Sequence, residues 1–238
     1  MINSFSITLD VDWAPDFAIE RVRQILKKAN RRSTWFVTHD SPSIKEIVAC
    51  KKEIDAGIHP NFLQGTTQGD SPTKIMNNLK RIVPGAVAVR SHAMVYSAAI
   101  ARMFSMMGMS IDSSVYLGGM ANIQPFVTNY AYSCQIIRMP YFWSDDAEMV
   151  GNPLWEKPTC PGLKILCFHP IHIYLNTARW EDYVAFKSEY NQFPFIEVAA
   201  KYINKRKKGT RDYLECLLND KNRMPTLMEI AQEWTERC

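Results

Sequence analysis

The first segment of the chain shows a strict alternation of apolar and polar residues. From Phe5 to Val11 every second residue is apolar, and Asp10 and Asp12 occupy polar positions of the same phase. A period of two predicts a half-buried β-strand with both aspartates on one face, and the proline at position 15 ends it. Two carboxylates side by side at a strand end repel each other unless a metal ion or a shared proton offsets the repulsion. The pair therefore indicates a functional site, whereas a single aspartate there more often caps a loop or forms a salt bridge.

The rest of the chain alternates between predicted strands and helices. Further strands are predicted at 33–38, 58–59, 86–90, 110–115, 136–139 and 163–169, with helices between most of them. From Ala178 onward the pattern is helical, at 180–190, 195–204, 210–219 and 227–234. About seven βα units favour an α/β barrel over an open sheet. No linker or repeat is visible, which predicts one domain over residues 1–238 with a helical C-terminal part from about 178.

Three local signals predict where individual helices begin and end. Asp16 is a candidate N-cap for the helix that follows the first strand. Gly57 is placed to stop the second helix, and Ser71 followed by Pro72 is a strong start for the third. These helix boundaries matter because they determine the positions of the strand C-termini, where the candidate site residues lie.

Composition narrows the class of protein. The 238 residues are 47% hydrophobic and 22% charged with a net charge of +4, which is typical of a soluble globular protein. No apolar run is as long as a membrane span and no signal segment precedes the first strand, so a cytoplasmic location is expected. The six cysteines show no disulfide or CxxC spacing and are predicted to be reduced. Basic and aromatic residues do not interleave, which argues against nucleic acid as a partner, and the basic run 205–208 is predicted to be a solvated helix end.

Chemically capable side chains fall at the C-terminal ends of the predicted strands, which converge on one face of a parallel barrel. Asp10, Asp12 and Arg90 occupy such ends. So do all five histidines of the chain: His39, His59, His92, His169 and His172. A structural role is the more common one for any single histidine, and it is our first interpretation for His39 and His172.

This set of side chains matches the needs of a metal-assisted hydrolase. A carboxylate and imidazoles suit zinc or another divalent transition metal with an open position for water. A second carboxylate can take a proton from that water, and a further histidine can deliver one to a leaving group.

Six segments resemble the motifs of one family and follow its order along the chain. They are 8–12 (TLDVD), 33–38 (STWFVT), 57–59 (GIH), 89–92 (VRSH), 111–115 (IDSSV) and 168–170 (FHP). Together they resemble the polysaccharide deacetylases, the NodB-like carbohydrate esterases, and more narrowly the WbmS-like branch associated with bacterial surface-polysaccharide gene clusters. The resemblance extends to about Thr177 and implies the distorted (β/α)7 barrel of that family.

The resemblance also implies roles for individual residues. Asp10 would be the general base, and Arg90 would orient and ionise it because an adjacent guanidinium favours the carboxylate form. Asp12 and His59 would bind the metal. His169 would be the general acid that protonates the departing amine.

Other positions are expected near the substrate. Trp143 and Asp145 resemble the family's Trp/Asp motif. Aromatic residues at 141–143 and 172–174, which include His172, offer stacking surfaces for a sugar ring, although plain packing is the more common role for such residues. The backbone N–H near Ala93 is expected to help the metal hold an oxyanion.

One position departs from the family pattern. The family's metal motif has a second histidine four residues after the first, and Leu63 stands there in this chain. Because leucine cannot bind a metal, either another residue completes the ligand set or metal binding has been lost. His92 is the best substitute and Asn61 a weaker one; alternatively, His92 hydrogen-bonds to substrate or to Asp10.

The sequence therefore predicts a metal-dependent N-deacetylase of an N-acetylated sugar, with zinc as the expected ion. A cytoplasmic location favours a nucleotide- or lipid-linked precursor over a finished polymer. Two alternatives stay open, a metal-independent amide hydrolase of the same fold and a non-catalytic carbohydrate-binding protein with a decayed site. The retention of Asp10, Asp12, Arg90 and His169 argues against the last of these, because a binding protein does not need an acid, a base and an orienting arginine together.

Overall fold

The alternating segment at the N-terminus forms the first strand of a computed structural model that describes residues 2–129, 135–150 and 153–237. Nine strands are present within these ranges and belong to one sheet. They are β1 (Phe5–Asp10), β2 (Ser33–Val37), β3 (Ile54–Ile58), β4 (Ala88–Val89), β5 (Ile111–Asp112), β6 (Phe126–Asn129), β7 (Gln135–Arg138), β8 (Trp143–Ser144) and β9 (Lys164–Phe168).

Helices follow most of the strands, as the alternating pattern predicts. They are α1 (Asp16–Lys28), α2 (Pro42–Ala49), α3 (Pro72–Ile82), α4 (Ala98–Met106), α5 (Asp145–Met149), α6 (Pro170–Leu175), α7 (Trp180–Tyr190), α8 (Ile196–Lys201), α9 (Thr210–Leu218) and α10 (Leu227–Thr235), with a short 3₁₀ turn at His92–Met94. None of the helices within the described ranges has both the length and the apolar composition needed to cross a bilayer.

The sheet has the order β6-β7-β5-β4-β3-β2-β1-β9-β8, with β6 antiparallel to β7 and the other pairs parallel. It curls into a half-barrel with helices packed on it, which confirms the distorted (β/α) barrel expected from the sequence. Thr8 of β1 is in register with Thr34 of β2 on one side and with Cys167 of β9 on the other. The C-terminal ends of these strands therefore open on the same face, where candidate site residues were predicted.

The C-terminal helices share the core of the strands. Tyr213, Leu214 and Leu217 of α9 are fully buried in the same hydrophobic cluster as Leu9 of β1 and Phe168 of β9. Burial of this apolar surface stabilises the attachment of the helical part to the sheet. That residues 1–238 form one domain stays a prediction.

Two local expectations are wrong. Asp16 does not cap its own helix, since Pro15 holds the N-cap position of α1. The Asp16 carboxylate instead accepts hydrogen bonds from Ser41 Oγ at 2.6 Å and Ser43 N at 3.2 Å, and so holds the start of α2. Gly57 does not stop a helix either, because α2 ends at Ala49 and Gly57 lies within β3.

Close contact between neighbouring strands explains the glycine at position 57. A Cβ there would lie 2.7 Å from the carbonyl oxygen of Ala88, the first residue of β4. The predicted two-residue strand at 58–59 is in fact the end of β3, whose five residues all pair with β2. Asp55, Ala56 and Gly57 have low β-propensity, so the tertiary pairing overrides the local signal.

Strand lengths were overestimated elsewhere, at 86–90 and 110–115, where only two residues in each segment pair as β4 and β5. The short strand β8 and the helices α5 and α6 were not predicted, because five or six residues give too little periodicity. The described cysteines Cys50, Cys160, Cys167 and Cys216 are free thiols, as predicted. Cys134 and Cys238 lie outside the described residues.

Candidate active site

The two aspartates meet at the end of β1, although not by the predicted strand alternation. β1 ends at Asp10, and Asp12 lies beyond it with a φ of 44°, followed by Trp13 at 55°. These left-handed conformations are costly for residues other than glycine and persist where surrounding contacts fix them. The turn brings the Asp12 carboxylate to the same imidazole as that of Asp10, since Asp12 Oδ1 and Asp10 Oδ2 lie 3.1 and 3.7 Å from His59 Nε2.

Arg90 fixes the buried carboxylate of Asp10. Its Nη1 donates to Asp10 Oδ1 at 2.8 Å and to Thr8 Oγ1 at 2.9 Å. Its Nε and Nη2 donate to the carbonyl oxygen and the hydroxyl of Ser113, at 3.1 and 2.8 Å. The guanidinium also lies over the rings of Phe36 and Tyr141, at 4.5 and 4.7 Å from their centroids. Burial opposes ionisation of Asp10, but the Arg90 charge overcomes it and lowers the pKa of the carboxyl.

His59 is oriented by the backbone of the neighbouring strand. Its Nδ1 lies 2.6 Å from the carbonyl oxygen of Arg90, and its side chain is buried. A carbonyl oxygen only accepts, so Nδ1 carries a proton and Nε2 is the ring nitrogen that faces the site. Fixing a histidine tautomer in this way is typical of metal ligands.

Three potential ligand atoms, one each from Asp12, His59 and His92, lie close together. Asp12 Oδ1 lies 3.1 Å from His59 Nε2 and 3.1 Å from His92 Nδ1, and the two nitrogens are 3.3 Å apart. This group is one of the sets of residues that the structure places close enough to hold a metal ion. Burial disfavours the charge on Asp12, yet its hydrogen bonds to His59 and His92 hold its pKa well below the ordinary value. The hydrogen bond to Asp12 raises the pKa of His92.

His169 also lies beside this group. Its Nε2 lies 3.5 Å from Asp12 Oδ2, and its Nδ1 lies 2.6 Å from Asp145 Oδ1. Its backbone N–H donates to the other carboxylate oxygen of Asp145 at 2.8 Å. Burial lowers the pKa of His169, but the adjacent Asp145 charge more than offsets this, and the pKa rises well above its ordinary value. Burial in turn raises the pKa of Asp145.

Three residues expected to contact substrate are buried instead. Asp145 is fully buried behind His169, and its contact with that ring gives it a positioning role. Trp143 packs against the rings of Phe168 and Tyr213, with centroids 5.0 and 4.9 Å away. Stacking of a sugar on Trp143 would require these neighbours to move, so the substrate-binding interpretation does not fit its position.

His172 is also buried. Its ring lies 5.6 Å from that of His169, and its Nδ1 is 3.3 Å from Thr177 Oγ1. Burial and the nearby His169 lower the pKa of His172 to about 3, so it is neutral at physiological pH. Its burial makes a direct substrate contact a poor fit, and agrees with the structural role that was our first interpretation.

Other candidates lie outside the ligand group. Leu63 is 45% exposed, and its backbone N–H donates to Asn61 Oδ1 at 2.9 Å, so the Asn61 amide is engaged within its own loop. His39 Nδ1 is 3.0 Å from Thr38 Oγ1 rather than in contact with the aspartates. Ala93, expected to offer its N–H to an oxyanion, has a φ of 51° within the 3₁₀ turn that carries His92.

Gln68 is a supporting residue that sequence reasoning missed. Its buried side chain donates from Nε2 to the carbonyl oxygens of Thr38 and His59, at 2.9 and 3.0 Å. Its Oε1 accepts from Asn61 N at 2.7 Å. It therefore ties the end of β2 to the end of β3, where His59 stands. A glutamine in a polar loop carries no periodic signal, so only the fold identifies it.

Comparison with known proteins agrees with this geometry. The family model described as WbmS-like polysaccharide deacetylase matches residues 7–187. The chain belongs to this family. The match covers all of the site residues described above, and it confirms the resemblance carried by the short motifs. No curated protein sequence matches the chain.

Solved structures of WbmS-like and other polysaccharide deacetylases share the fold. A proposed polysaccharide deacetylase involved in O-antigen biosynthesis, from Bordetella bronchiseptica, is 28% identical with a TM-score of 0.78 over 90% of this chain and 89% of that chain. A proposed polysaccharide deacetylase from Mycobacterium smegmatis is 13% identical, with a TM-score of 0.58 over 99% and 91% of the two chains. A variant of the peptidoglycan deacetylase PdaC from Bacillus subtilis is 10% identical, with a TM-score of 0.51 over 99% and 92%.

Proposed function

We propose that this WbmS-like protein is a metal-dependent N-deacetylase that removes an acetyl group from an N-acetylated sugar, in the synthesis of a surface polysaccharide. The observation that carries the proposal is the convergence of Asp12, His59 and His92 beside a carboxylate, Asp10, held by Arg90. The structural relative involved in O-antigen biosynthesis supports the biological setting.

The chemistry of the three donors fits a divalent transition metal. Ligands about 2.0–2.1 Å from a tetrahedral zinc ion lie about 3.3 Å from one another. The distances among the Asp12, His59 and His92 donors are 3.1, 3.1 and 3.3 Å. An Asp-His-His set leaves an open position, and the proton on His59 Nδ1 is already placed away from the donor atom. His92 thereby supplies the ligand that Leu63 cannot.

A metal bound there would supply Lewis acidity toward an acetamide carbonyl and toward a water molecule. Asp10 would accept the proton of the attacking water, for which it must be ionised. Arg90 keeps it so, because the lowered pKa leaves Asp10 as a carboxylate at neutral pH. The same hydrogen bond fixes one oxygen of Asp10, so that the other is free to face the water.

His169 would protonate the departing amine when the C–N bond breaks, which yields acetate and a free amino group on the sugar. Its pKa is raised by Asp145, so the imidazolium that this role requires is populated at neutral pH. Its Nε2, on the side of Asp12, is the atom that would donate, because Nδ1 is engaged by Asp145. The proposed base and the proposed acid thus lie together beside the ligand group, with a carboxylate oxygen of Asp10 and a ring nitrogen of His169 within 4.8 Å of each other.

The proposal is tested by measuring acetate release from nucleotide-linked and lipid-linked N-acetyl sugars, with the purified full chain before and after chelation and with added zinc, cobalt or manganese. We expect metal-dependent release of acetate, and release slowed by roughly 10²- to 10⁴-fold in Asp10→Asn. Release that survives exhaustive chelation would favour a metal-independent amide hydrolase. Binding of an N-acetyl sugar with no acetate from any substrate would favour a carbohydrate-binding protein.

A further inference from the structure

Helices α7 and α8 form a hairpin whose surface carries large apolar side chains that face solvent. The turn 191–197, which joins them and includes the first two residues of α8, is exposed throughout. Phe193, Phe195 and Ile196 are 54%, 60% and 46% exposed, and Val184 on α7 is 52% exposed. Burial of apolar side chains is favourable. Exposed aromatic residues that cluster in one turn therefore mark a surface that contacts another apolar environment.

The same hairpin and the loop after it concentrate positive charge. Between residues 179 and 208 there are seven Lys or Arg and four Asp or Glu, so this segment holds most of the chain's net charge of +4. The side chains of Lys205, Arg206 and Lys207 are exposed, and within the described ranges no carboxylate forms an ion pair with them. The backbone N–H groups of Arg206 and Lys207 donate to Asn204 Oδ1 at 3.0 Å each, which fixes the loop while its cations face solvent.

Packing within the hairpin holds both the apolar turn and the basic loop against α7. The carboxylate of Glu189 near the end of α7 accepts from Lys201 Nζ and Tyr202 Oη at the end of α8, both at 2.8 Å. Asp182 and Ala185 of α7 line a cavity of about 590 Å³ together with residues of the loop 200–207. The apolar turn therefore lies at one end of α7 and the basic loop along its other half.

A chain of ring contacts also connects the hairpin to the active-site region. Trp180, at the start of α7, lies 6.5 Å from the ring of His172, which lies 5.6 Å from the ring of His169. Trp180 is itself partly exposed. A partner bound to the hairpin would therefore lie near His169, the residue proposed as the general acid.

We propose that the α7–α8 hairpin, with the turn 191–197 and the loop 205–208, binds the surface of an anionic phospholipid bilayer. Apolar residues at a turn can enter the boundary between headgroups and acyl chains, while clustered Lys and Arg are attracted to anionic headgroups. A second copy of this chain fits less well, because two cationic surfaces facing each other repel. As a consequence that rests on the proposed function, the favoured substrate is a lipid-linked N-acetyl sugar presented at that surface.

Cosedimentation of the full chain with lipid vesicles tests the proposal. We expect binding to vesicles of phosphatidylcholine mixed with phosphatidylglycerol, weaker binding at high salt, and little binding to phosphatidylcholine alone. Phe193→Ser combined with Phe195→Ser should weaken binding about tenfold or more. Lys205→Glu combined with Lys207→Glu should weaken it about thirtyfold.

Matched controls lie elsewhere on the surface. Met106→Ser replaces an apolar residue of α4 that is 76% exposed, and Lys51→Glu with Lys52→Glu reverses two exposed charges. Both should leave vesicle binding unchanged, and circular dichroism should show that every variant is folded. Absence of binding to anionic vesicles, or equal binding by the hairpin variants, would overturn the proposal. A dimer that the Phe193/Phe195 variant abolishes, measured by analytical ultracentrifugation, would show instead that a second copy covers the hairpin.

The outcomes for function and for membrane binding are separable. The hairpin variants should hydrolyse a water-soluble N-acetyl sugar at the wild-type rate and lose rate only on a lipid-linked sugar carried in anionic vesicles. Vesicle binding without acetate release from either substrate would support the membrane-binding proposal and contradict the proposed deacetylase function. Equal rates of all variants on the vesicle-borne sugar would show that membrane binding by the hairpin does not contribute to the deacetylase reaction.

Discussion

His59 Nδ1 lies 2.6 Å from the carbonyl oxygen of Arg90, while the guanidinium of the same Arg90 holds Asp10 at 2.8 Å. One residue thus orients both the proposed first metal ligand and the proposed base. Its main-chain carbonyl oxygen orients His59, and its side chain orients Asp10. A substitution of Arg90 removes the side-chain function and keeps the backbone hydrogen bond, so the two functions can be examined apart.

The ligand set predicts how metal content responds to substitution. The wild-type chain should bind about one transition-metal ion, and Asp12→Ala should lose it, because removing one of three protein ligands leaves too few donors. His92→Ala should weaken binding by at least about 10–100-fold. Elemental mass spectrometry after dialysis against zinc, followed by competition with a chelator, measures both effects.

Leu63→Ala is the matched control for the metal measurement. Leu63 occupies the position of the family's second histidine but is 45% exposed and lies outside the ligand group. Its replacement should leave the metal affinity unchanged. Wild-type affinity in His92→Ala would mean that His92 is not a ligand.

Asp10→Asn should lower kcat by roughly 10²- to 10⁴-fold, because the amide cannot accept the proton of the attacking water. Stability should fall as well, by about 3 kcal/mol, since the buried Arg90 loses the carboxylate that compensates its charge. The asparagine oxygen, Thr8 and Ser113 still accept from the guanidinium, so the fold should persist. Acetate release and urea unfolding, each referred to the metal content of the same sample, separate the two losses. Substantial turnover by the folded, metal-loaded variant would remove Asp10 from the role of base.

Most of the parallel strands could be predicted, because their apolar or β-branched residues are followed by a polar residue. The two-residue strand β8 is too short to give this pattern, and the low β-propensity of residues 55–57 concealed most of β3. That pattern located Asp10, His59, Arg90 and His169 before any geometry was known. The pairing among them could not be read from the chain. Whether His59 presents Nδ1 or Nε2 depends on the carbonyl oxygen of Arg90, the residue after β4, and the place of Asp12 depends on two left-handed residues rather than on strand alternation.

Burial distinguishes candidate residues that lie near the site from those that are exposed enough to touch a substrate. Trp143, Asp145 and His172 lie close to His169 along the chain or in space, yet all three are buried. Sequence places such residues at the mouth because they follow strand ends. Only the packing of Tyr213 and Phe168 against Trp143 shows that the ring faces the core.

Asp145→Asn should shift the pH dependence of the reaction. A general acid must be protonated, so kcat/KM falls as pH rises through the pKa of His169. Asp145 raises that pKa against the opposing effect of burial, and its neutralisation should move the alkaline limb of the profile to lower pH. Asp146→Asn is the control, because Asp146 has a smaller influence on the same pKa. Coincident profiles of wild type and Asp145→Asn would mean that another group donates the proton.

His172 should make the folded state sensitive to acid. Its pKa is about 3 when folded and about 6.5 when unfolded, so between these values the unfolded chain binds the extra proton. The contribution to stability is complete above pH 6.5 and is lost as pH falls toward 3, with a slope of about 1.4 kcal/mol per pH unit. His172→Gln should therefore flatten the fall in unfolding free energy between pH 6.5 and 5. Urea titrations across this range measure both slopes, and equal slopes would mean that His172 carries a charge in the folded protein.

Gln68 allows a test of whether the positions of the proposed metal ligands depend on hydrogen bonds from a residue that does not itself bind the metal. Gln68 donates to the carbonyl oxygens of Thr38 and His59 and accepts from Asn61 N, all within 3.0 Å. Gln68→Glu has nearly the same shape but loses both donors, which leaves two buried carbonyl oxygens facing a carboxylate.

Unsatisfied buried polar groups cost about 1–3 kcal/mol each, so Gln68→Glu should destabilise the fold by a few kcal/mol. Because one of those carbonyls belongs to His59, the position of its ring should loosen, and the metal affinity should fall about tenfold although no ligand has changed. Asn78→Asp, which alters only the residue that donates to the Gln68 carbonyl oxygen at 2.8 Å, is the matched control and should affect stability more than affinity. A Gln68→Glu protein that unfolds earlier but binds the metal as tightly as wild type would show that the hydrogen bond of His59 to Arg90 positions the ring by itself.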